Sequence, residues 1–189
     1  MRAYKVKLKS KSAYSQSRHY TKDEVPALEK EAPDAYERRT WRHRLHIDGA
    51  GQVYIPPMAL KNCLQDAAKF LSLKIPGKAN ATYTKHFDAG VMVIDELKLG
   101  IHADDVEPES LYVPSDGRPG GGKRVTKLFP LIRSWEAETT IYILDPTITE
   151  AVLRRHLDEA GTLIGMGRFR PRNRGFYGRF DVVSLQEVA

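Results

Sequence analysis

A single cysteine, Cys63, stands among 189 residues, which excludes an internal disulfide and any cysteine-rich zinc site. No run approaches the roughly 20 apolar residues of a membrane span. The first residues alternate in charge and hold no signal-peptide core, so a soluble, cytoplasmic chain without membrane contact is expected. The six histidines (His19, His43, His46, His86, His102 and His156) show no metal-ligand spacing, and no cofactor is implied. Aromatic residues are scarce, at 9% of the chain. Yet Phe169, Phe176, Tyr177 and Phe180 crowd into residues 163–180, a run with no acidic residue.

That run also holds Arg168, Arg170, Arg172, Arg174 and Arg179, together with Gly165, Gly167, Gly175 and Gly178. Glycine permits close backbone approach to a ligand. Arginine forks match phosphate oxygens, and aromatic faces accept unstacked bases. The combination points to a single-stranded nucleic-acid site, the alternative being an exposed basic loop that keeps the chain soluble. Net charge is +6, and the basic residues cluster at 2–11, 38–46 and 168–179. The middle is acidic, with Asp95, Glu96, Asp104, Asp105, Glu107, Glu109 and Asp116, so charge reads as segregated.

Length fits one domain, 1–189, with insertions at about 10–35 and 101–130. Tyr4, Val6 and Leu8 alternate with Lys5, Lys7 and Lys9, which predicts a strand with one buried face. Its lysine face is either solvated or turned to phosphates. Residues 10–35 read as irregular, and 36–48 as a strand carrying Arg38, Arg39, Arg42 and Arg44. Gln52–Ile55 reads as a further strand. Pro56-Pro57 opens a helix in which Leu60, Cys63, Leu64, Ala67, Ala68 and Leu71 share one face. Residues 73–87 read as a loop, 91–99 as a strand, and 104–122 as a hairpin tip. Trp135 to Ile143 is a strand. Thr147-Ile148-Thr149-Glu150 reads as a capping box. The helix after it buries Ile148, Val152, Leu157, Ala160 and Leu163, and a last strand covers 180–185. The order is strand, helix, strand, strand, helix, strand: an α+β, ferredoxin-like split βαβ fold with an antiparallel sheet and long loop insertions. The open face of such a sheet is a frequent RNA platform.

Two segments carry a resemblance. Ile55-Pro56 and Leu60-Lys61 are similar to an Ile-Pro-Gly-Ser-Ser-Leu-Lys-Gly segment, with Pro57, Met58 and Ala59 in place of Gly-Ser-Ser and Asn62 in place of the last Gly. Gly165, Gly167, Gly175 and Gly178 match a glycine-rich loop between the second helix and the last strand. The pair resembles the repeat-associated mysterious protein (RAMP) superfamily, whose members form RNA-binding subunits of CRISPR effector complexes. The resemblance implies a guide-RNA-binding backbone subunit that grips phosphates with little sequence preference. It also implies that the 101–130 insertion, with Lys123, Arg124 and Lys127 near Phe129, is a hairpin that kinks the strand. Pro57 removes one amide that a phosphate would take, which leaves Lys61 as the contact there.

Other motifs carry less. Gly117 to Lys123 imitates a P-loop, but Arg124 stands where Ser or Thr would hold magnesium. Arg174-Gly175-Phe176-Tyr177-Gly178 echoes the RNP1 signature, yet it precedes the fourth strand instead of forming the third. On a strand, His43 and His46 face opposite ways and cannot share a site. The reading is therefore a non-catalytic single-stranded RNA binder, DNA not separated from RNA, that self-associates or joins other subunits. The alternatives are a metal-independent endoribonuclease of the same fold, a non-catalytic assembly subunit, and a viral single-stranded DNA binder.

Overall fold

The computed structural model describes residues 1–115 and 122–188. In chain order its elements are β1 (Arg2–Ser10), β2 (Tyr14–Ser15), α1 (Pro33–Thr40), β3 (Gln52–Ile55), α2 (Pro57–Leu71), α3 (Thr84–Gly90) and β4 (Val91–Val93). There follow β5 (Leu97–His102), β6 (Glu107–Pro114), β7 (Arg124–Ile132), β8 (Glu136–Ile143), α4 (Glu150–Glu159) and β9 (Phe180–Val188).

Period-two alternation makes the main sheet. Tyr4, Val6 and Leu8 of β1 are buried, as are Ala137, Ile141 and Ile143 of β8 and Phe180 and Val182 of β9. The strands run in the order β4-β8-β1-β9, every neighbour antiparallel. With α2 following β1 and α4 following β8, this is the ferredoxin-like arrangement that the sequence pattern predicts. Helix α2 buries Leu60, Cys63, Leu64, Ala67 and Ala68 in the core shared with the sheet. Each such leucine contributes about 1.5–3 kcal/mol. Cys63 lies fully inside, and burial pushes its thiol up to about 12.

The outer face of β1 is solvated and neutralised across strands. Lys5 pairs with Glu138 at 2.8 Å, Lys7 and Lys9 with Glu136 at 3.1 and 3.3 Å, and Lys11 with Asp181 at 2.8 Å. Two smaller sheets complete the chain, β2-β7-β6 and β3-β5. Strands β6 and β7 form the antiparallel hairpin expected of the second insertion. Residues 116–121, which hold most of the P-loop imitation, lie outside the described residues.

Five expectations change. Residues 33–40 are helix α1, and Trp41–Arg44 form a 3₁₀ turn, not a strand. The inward residues are Glu37, Thr40, Trp41 and Leu45, a helical spacing whose first members are polar. The loop assigned to 73–87 ends in helix α3, and the strand assigned to 91–99 divides. Its first half, β4, joins the main sheet, while β5 pairs with β3. The cap of α4 is Thr149, whose hydroxyl accepts from the Val152 amide at 3.3 Å, while Thr147 takes part in a turn closed by Asp145. Helix α4 runs into a π turn, Ala160–Ile164. Ile164 continues the inward face of Leu153, Leu157 and Ala160, and Leu163, expected there, is exposed.

Candidate nucleic-acid interface

The Gly/Arg loop, residues 165–179, is not a free flap. The Met166 amide donates to the Gly178 carbonyl at 3.0 Å, the Arg168 amide to Ser15 at 2.9 Å, and the Gly178 amide to Ala13 at 2.7 Å. The loop is thereby laid along residues 13–15. Two glycines make this possible. Gly167 has φ +75° and sits where a Cβ would fall 2.5 Å from the Ser15 carbonyl. Gly178 has φ +73°, and a Cβ there would lie 1.8 Å from the Met166 carbonyl. Phe169 and Arg174 also take left-handed backbone, at φ 55° and 63°, which costs about 1–2 kcal/mol each for a non-glycine residue.

Of the five loop arginines, Arg179 donates its Nε to the Thr162 carbonyl at 3.1 Å, and the other four divide. Arg168 is mostly buried, with Nη2 2.6 Å from Glu109 of the hairpin, Nε donating to Ser15 Oγ at 3.1 Å, and the guanidinium 4.1 Å over the Phe129 ring. Arg170 pairs with Asp66 of α2 at 3.3 Å. Arg172 and Arg174 are exposed, with no carboxylate within 4 Å among the described residues. Tyr177 is buried and donates its hydroxyl to the second Glu109 oxygen at 2.5 Å, so burial and that carboxylate push the phenol upward. Phe169 and Phe176 meet edge-on at 5.5 Å and are 44% and 51% exposed, open enough to take a base.

The second basic stretch divides in the same way. Arg39 forms two 2.8 Å bonds to Glu31 and holds that carboxyl down to about 2. Arg44 lies 2.8 Å from Glu37, which also receives Lys127 at 3.1 Å and the Leu128 amide at 2.8 Å. Burial pushes Glu37 up, but these donors outweigh it and leave the carboxyl below its usual range. Arg38 and Arg42 are exposed, Arg42 stacked 4.5 Å over Trp41. Lys123 and Arg124 are exposed on the hairpin, and Arg124 donates to the Tyr112 carbonyl at 3.4 Å. Lys61 is placed elsewhere. It is buried, with its ammonium 2.5 and 3.0 Å from the Phe87 and Asp88 carbonyls, where it caps α3. The phosphate contact expected of it is replaced by an internal one.

The two motif segments converge. Pro56 and Ala59 of the first, with Gly167 and Arg168 of the second, line one hollow of about 320 Å³ together with Gln16, Ser17 and His46. His46 also lines a larger cleft of about 690 Å³ with Arg18, Arg42, His43 and His102. Ser17 and Arg18 continue into a third hollow with His19, Lys22 and Arg44. Shared walls make these one groove around residues 14–20. Buried Gln16 fixes the groove floor, donating to the Tyr54 carbonyl at 2.7 Å and accepting the His46 amide at 2.7 Å.

Three features of this groove escape a linear reading. Residues 14–20 look like a featureless serine-rich stretch, although the buried polar pair Ser15 and Gln16 anchors both walls. Glu109 and Glu37 belong by sequence to acidic or mixed surroundings, yet they sit among the arginines, so charge is interleaved and not segregated. His43 and His46 share the larger cleft because their segment turns as a 3₁₀ helix. The His46 ring stays below the usual imidazole range, through burial and then the nearby Arg18 charge.

No family model matches the chain, and no curated protein does. Solved structures do. The chain superposes over 99% of its length on a chain of the cryo-EM structure of the Type III-B Cmr-beta bound to cognate target RNA, with TM-score 0.53 and 11% identity. It spans only 60% of that chain. It superposes over 96% of its length on Cmr6 from Pyrococcus furiosus, with TM-score 0.51 and 13% identity, covering 98% of that chain. At these identities the likeness is one of fold: the chain has an α+β fold similar to that of these two structures. Among the described residues, no helix is long and apolar enough to cross a membrane.

Proposed function

We propose that this chain is a single-stranded RNA-binding subunit of a CRISPR-type ribonucleoprotein, a single domain that holds the guide strand by its phosphates. One observation carries the reading: the two motif segments meet in one groove whose continuation is lined by Arg18, Lys22, Arg42 and four histidines. Unpaired Arg172 and Arg174 and the open rings of Phe169 and Phe176 lie on the same loop as the groove residues Gly167 and Arg168. Cations without carboxylate partners attract the backbone, and exposed rings stack bases without reading them. Arg38, Lys123 and Arg124 extend the positive surface. The RNA-bound Cmr-beta relative supports RNA over DNA as the partner. One groove of this size covers a few nucleotides, so further subunits or copies are expected along the strand.

The test is purification without nuclease, followed by absorbance at 260 and 280 nm and extraction. Co-purifying material that RNase destroys and DNase spares is the expected result. A clean protein spectrum at low salt, with no binding to added RNA, refutes the reading.

A second reading has its own observation. His43, His46 and His102 line one cleft with Arg18 and Arg42, the residue types of metal-independent RNA cleavage. Cleavage of labelled RNA in EDTA, lost in His43→Ala or His46→Ala, would establish it. Intact RNA would dismiss it.

A further inference from the structure

One of the three joined hollows differs from its neighbours. The larger cleft offers Arg18 and Arg42 to a polyanion, and the third hollow offers Lys22. The hollow of about 320 Å³ between the two motif segments has one cation in its wall, Arg168. That charge is already neutralised. The guanidinium lies 2.6 Å from Glu109, donates to Ser15 Oγ at 3.1 Å and rests 4.1 Å over the Phe129 ring. A phosphate brought there would meet the Glu109 charge as well.

Main-chain donors do not replace it. Pro56 and Pro57 carry no amide hydrogen. The Ala59 amide donates to the Pro56 carbonyl at 2.9 Å, and the Arg168 amide to the Ser15 carbonyl at 2.9 Å. The start of α2 therefore presents proline and alanine carbon where an anion site would present N–H groups.

The rest of the wall is uncharged and within reach of solvent. His46, Pro56, Ala59 and Gly167 are half-buried. Burial, and then the nearby Arg18 charge, keeps the His46 ring below the usual imidazole range and therefore neutral, and the Tyr54 ring backs it at 5.8 Å. Buried Gln16 lies in the floor, its amide held between the Tyr54 carbonyl and the His46 amide at 2.7 Å each. Such a wall suits a flat, uncharged ring. His46 is shared with the larger cleft and Ser17 with the third hollow, so the neutral hollow adjoins both cationic ones.

We propose that this hollow is a nucleobase seat: one base of a bound single strand turns out into it, against His46, Pro56 and Ala59, while the phosphates stay at the cations of the adjoining hollows. The seat presupposes the proposed RNA binding and adds to it a contact that needs a base. Gln16 is engaged inside the protein, so the seat takes a base by shape and stacking, without choosing among them.

The test compares oligouridylate with an abasic ribose-phosphate strand of the same length. Fluorescence anisotropy measures both on the full chain and on Ala59→Phe, which fills the hollow from a half-buried position. The preference of the wild type for the base-bearing strand is expected to fall about tenfold in the variant. Affinity for the abasic strand, its salt slope and the melting temperature are expected to hold. Exposed Phe169 and Phe176 favour the base-bearing strand equally in both proteins and cancel. A strand containing 4-thiouridine, irradiated on the wild-type chain, gives a readout that needs no variant: an adduct on His46 or within residues 54–59 is expected. If the preference is the same in both proteins, or if adducts form only on Phe169 and Phe176, the seat is overturned and the phosphate reading stands. If the wild type binds neither strand, the RNA-binding reading fails and the seat with it.

Discussion

Replacing Arg172 and Arg174 with alanine separates the cations proposed to meet RNA from those that hold the fold. Arg18, Lys22, Arg42, Arg172 and Arg174 are the five that the groove and its loop offer to phosphates. The exposed Arg18–Glu24 pair at 3.2 Å is weak enough to yield. With about 0.7 counterions released per phosphate on a single strand, five contacts give a slope of log affinity against log salt near −3.5. Between 50 and 200 mM salt, affinity then falls about a hundredfold. The double variant keeps three contacts, with a slope near −2.1 and a fall of about twentyfold. Both positions are exposed and unpaired, so the melting temperature is expected to hold. Arg168→Ala should do the reverse. It leaves mostly buried Glu109 without its cation and costs about 1–3 kcal/mol, with little change in slope. Fluorescence anisotropy of labelled single-stranded RNA across a salt series, beside thermal melts, measures both. A wild-type slope near zero, or an unchanged slope in Arg172→Ala/Arg174→Ala, refutes the reasoning.

The other predictions concern the scaffold. Gly178→Ala forces a side chain into a left-handed position facing the Met166 carbonyl; a loss of about 1–2 kcal/mol or more is expected in denaturant melts. Glu37 has a depressed carboxyl, so its contribution to stability is present above its unfolded pKa of about 4.3 and lost as pH falls through the lower folded value. Glu37→Gln should therefore be less stable at pH 7, and the gap should close on acidification. His156 is depressed too, and the same sign applies: stability falls as pH drops below about 6.5, and the decline should be smaller in a folded His156→Asn variant, the remainder coming from His46, which is depressed as well. Cys63, buried with its thiol pushed up to about 12, should react with a thiol reagent only as fast as the chain unfolds.

The main sheet and its two helices were legible because each hides one apolar face from water. Strands 2–10 and 136–143 then show period two, and helix 57–71 shows period 3.6. Helix α1 was not legible, since its inward residues begin with Glu37 and Thr40. They are stabilised by Arg44, Lys127 and a strand amide that reach them only after folding. That error propagated to the site, because placing His43 and His46 on a strand puts them on opposite faces. The glycine loop was visible as composition and as motif. Its partners were not, because Glu109 is 59 residues from Arg168, and Asp66 is 104 from Arg170.

Those partners explain why a count of arginines misjudges a binding surface. A guanidinium drawn out of water needs a carboxylate, or the burial costs several kcal/mol. Arg44, Arg168 and Arg170 each have one, and each ties a loop or helix to another element, while Arg39 holds its Glu31 partner from an exposed position. Arg38, Arg42, Arg172 and Arg174 have none and stay exposed. The same residue type, within one run, therefore does two jobs: the inward Arg168 and Arg170 fix the shape of the loop, and the outward Arg172 and Arg174 are left charged for a polyanion. A composition-preserving shuffle that exchanged the two sets would keep the net charge of +6, yet it would lose both the fold of the loop and its grip.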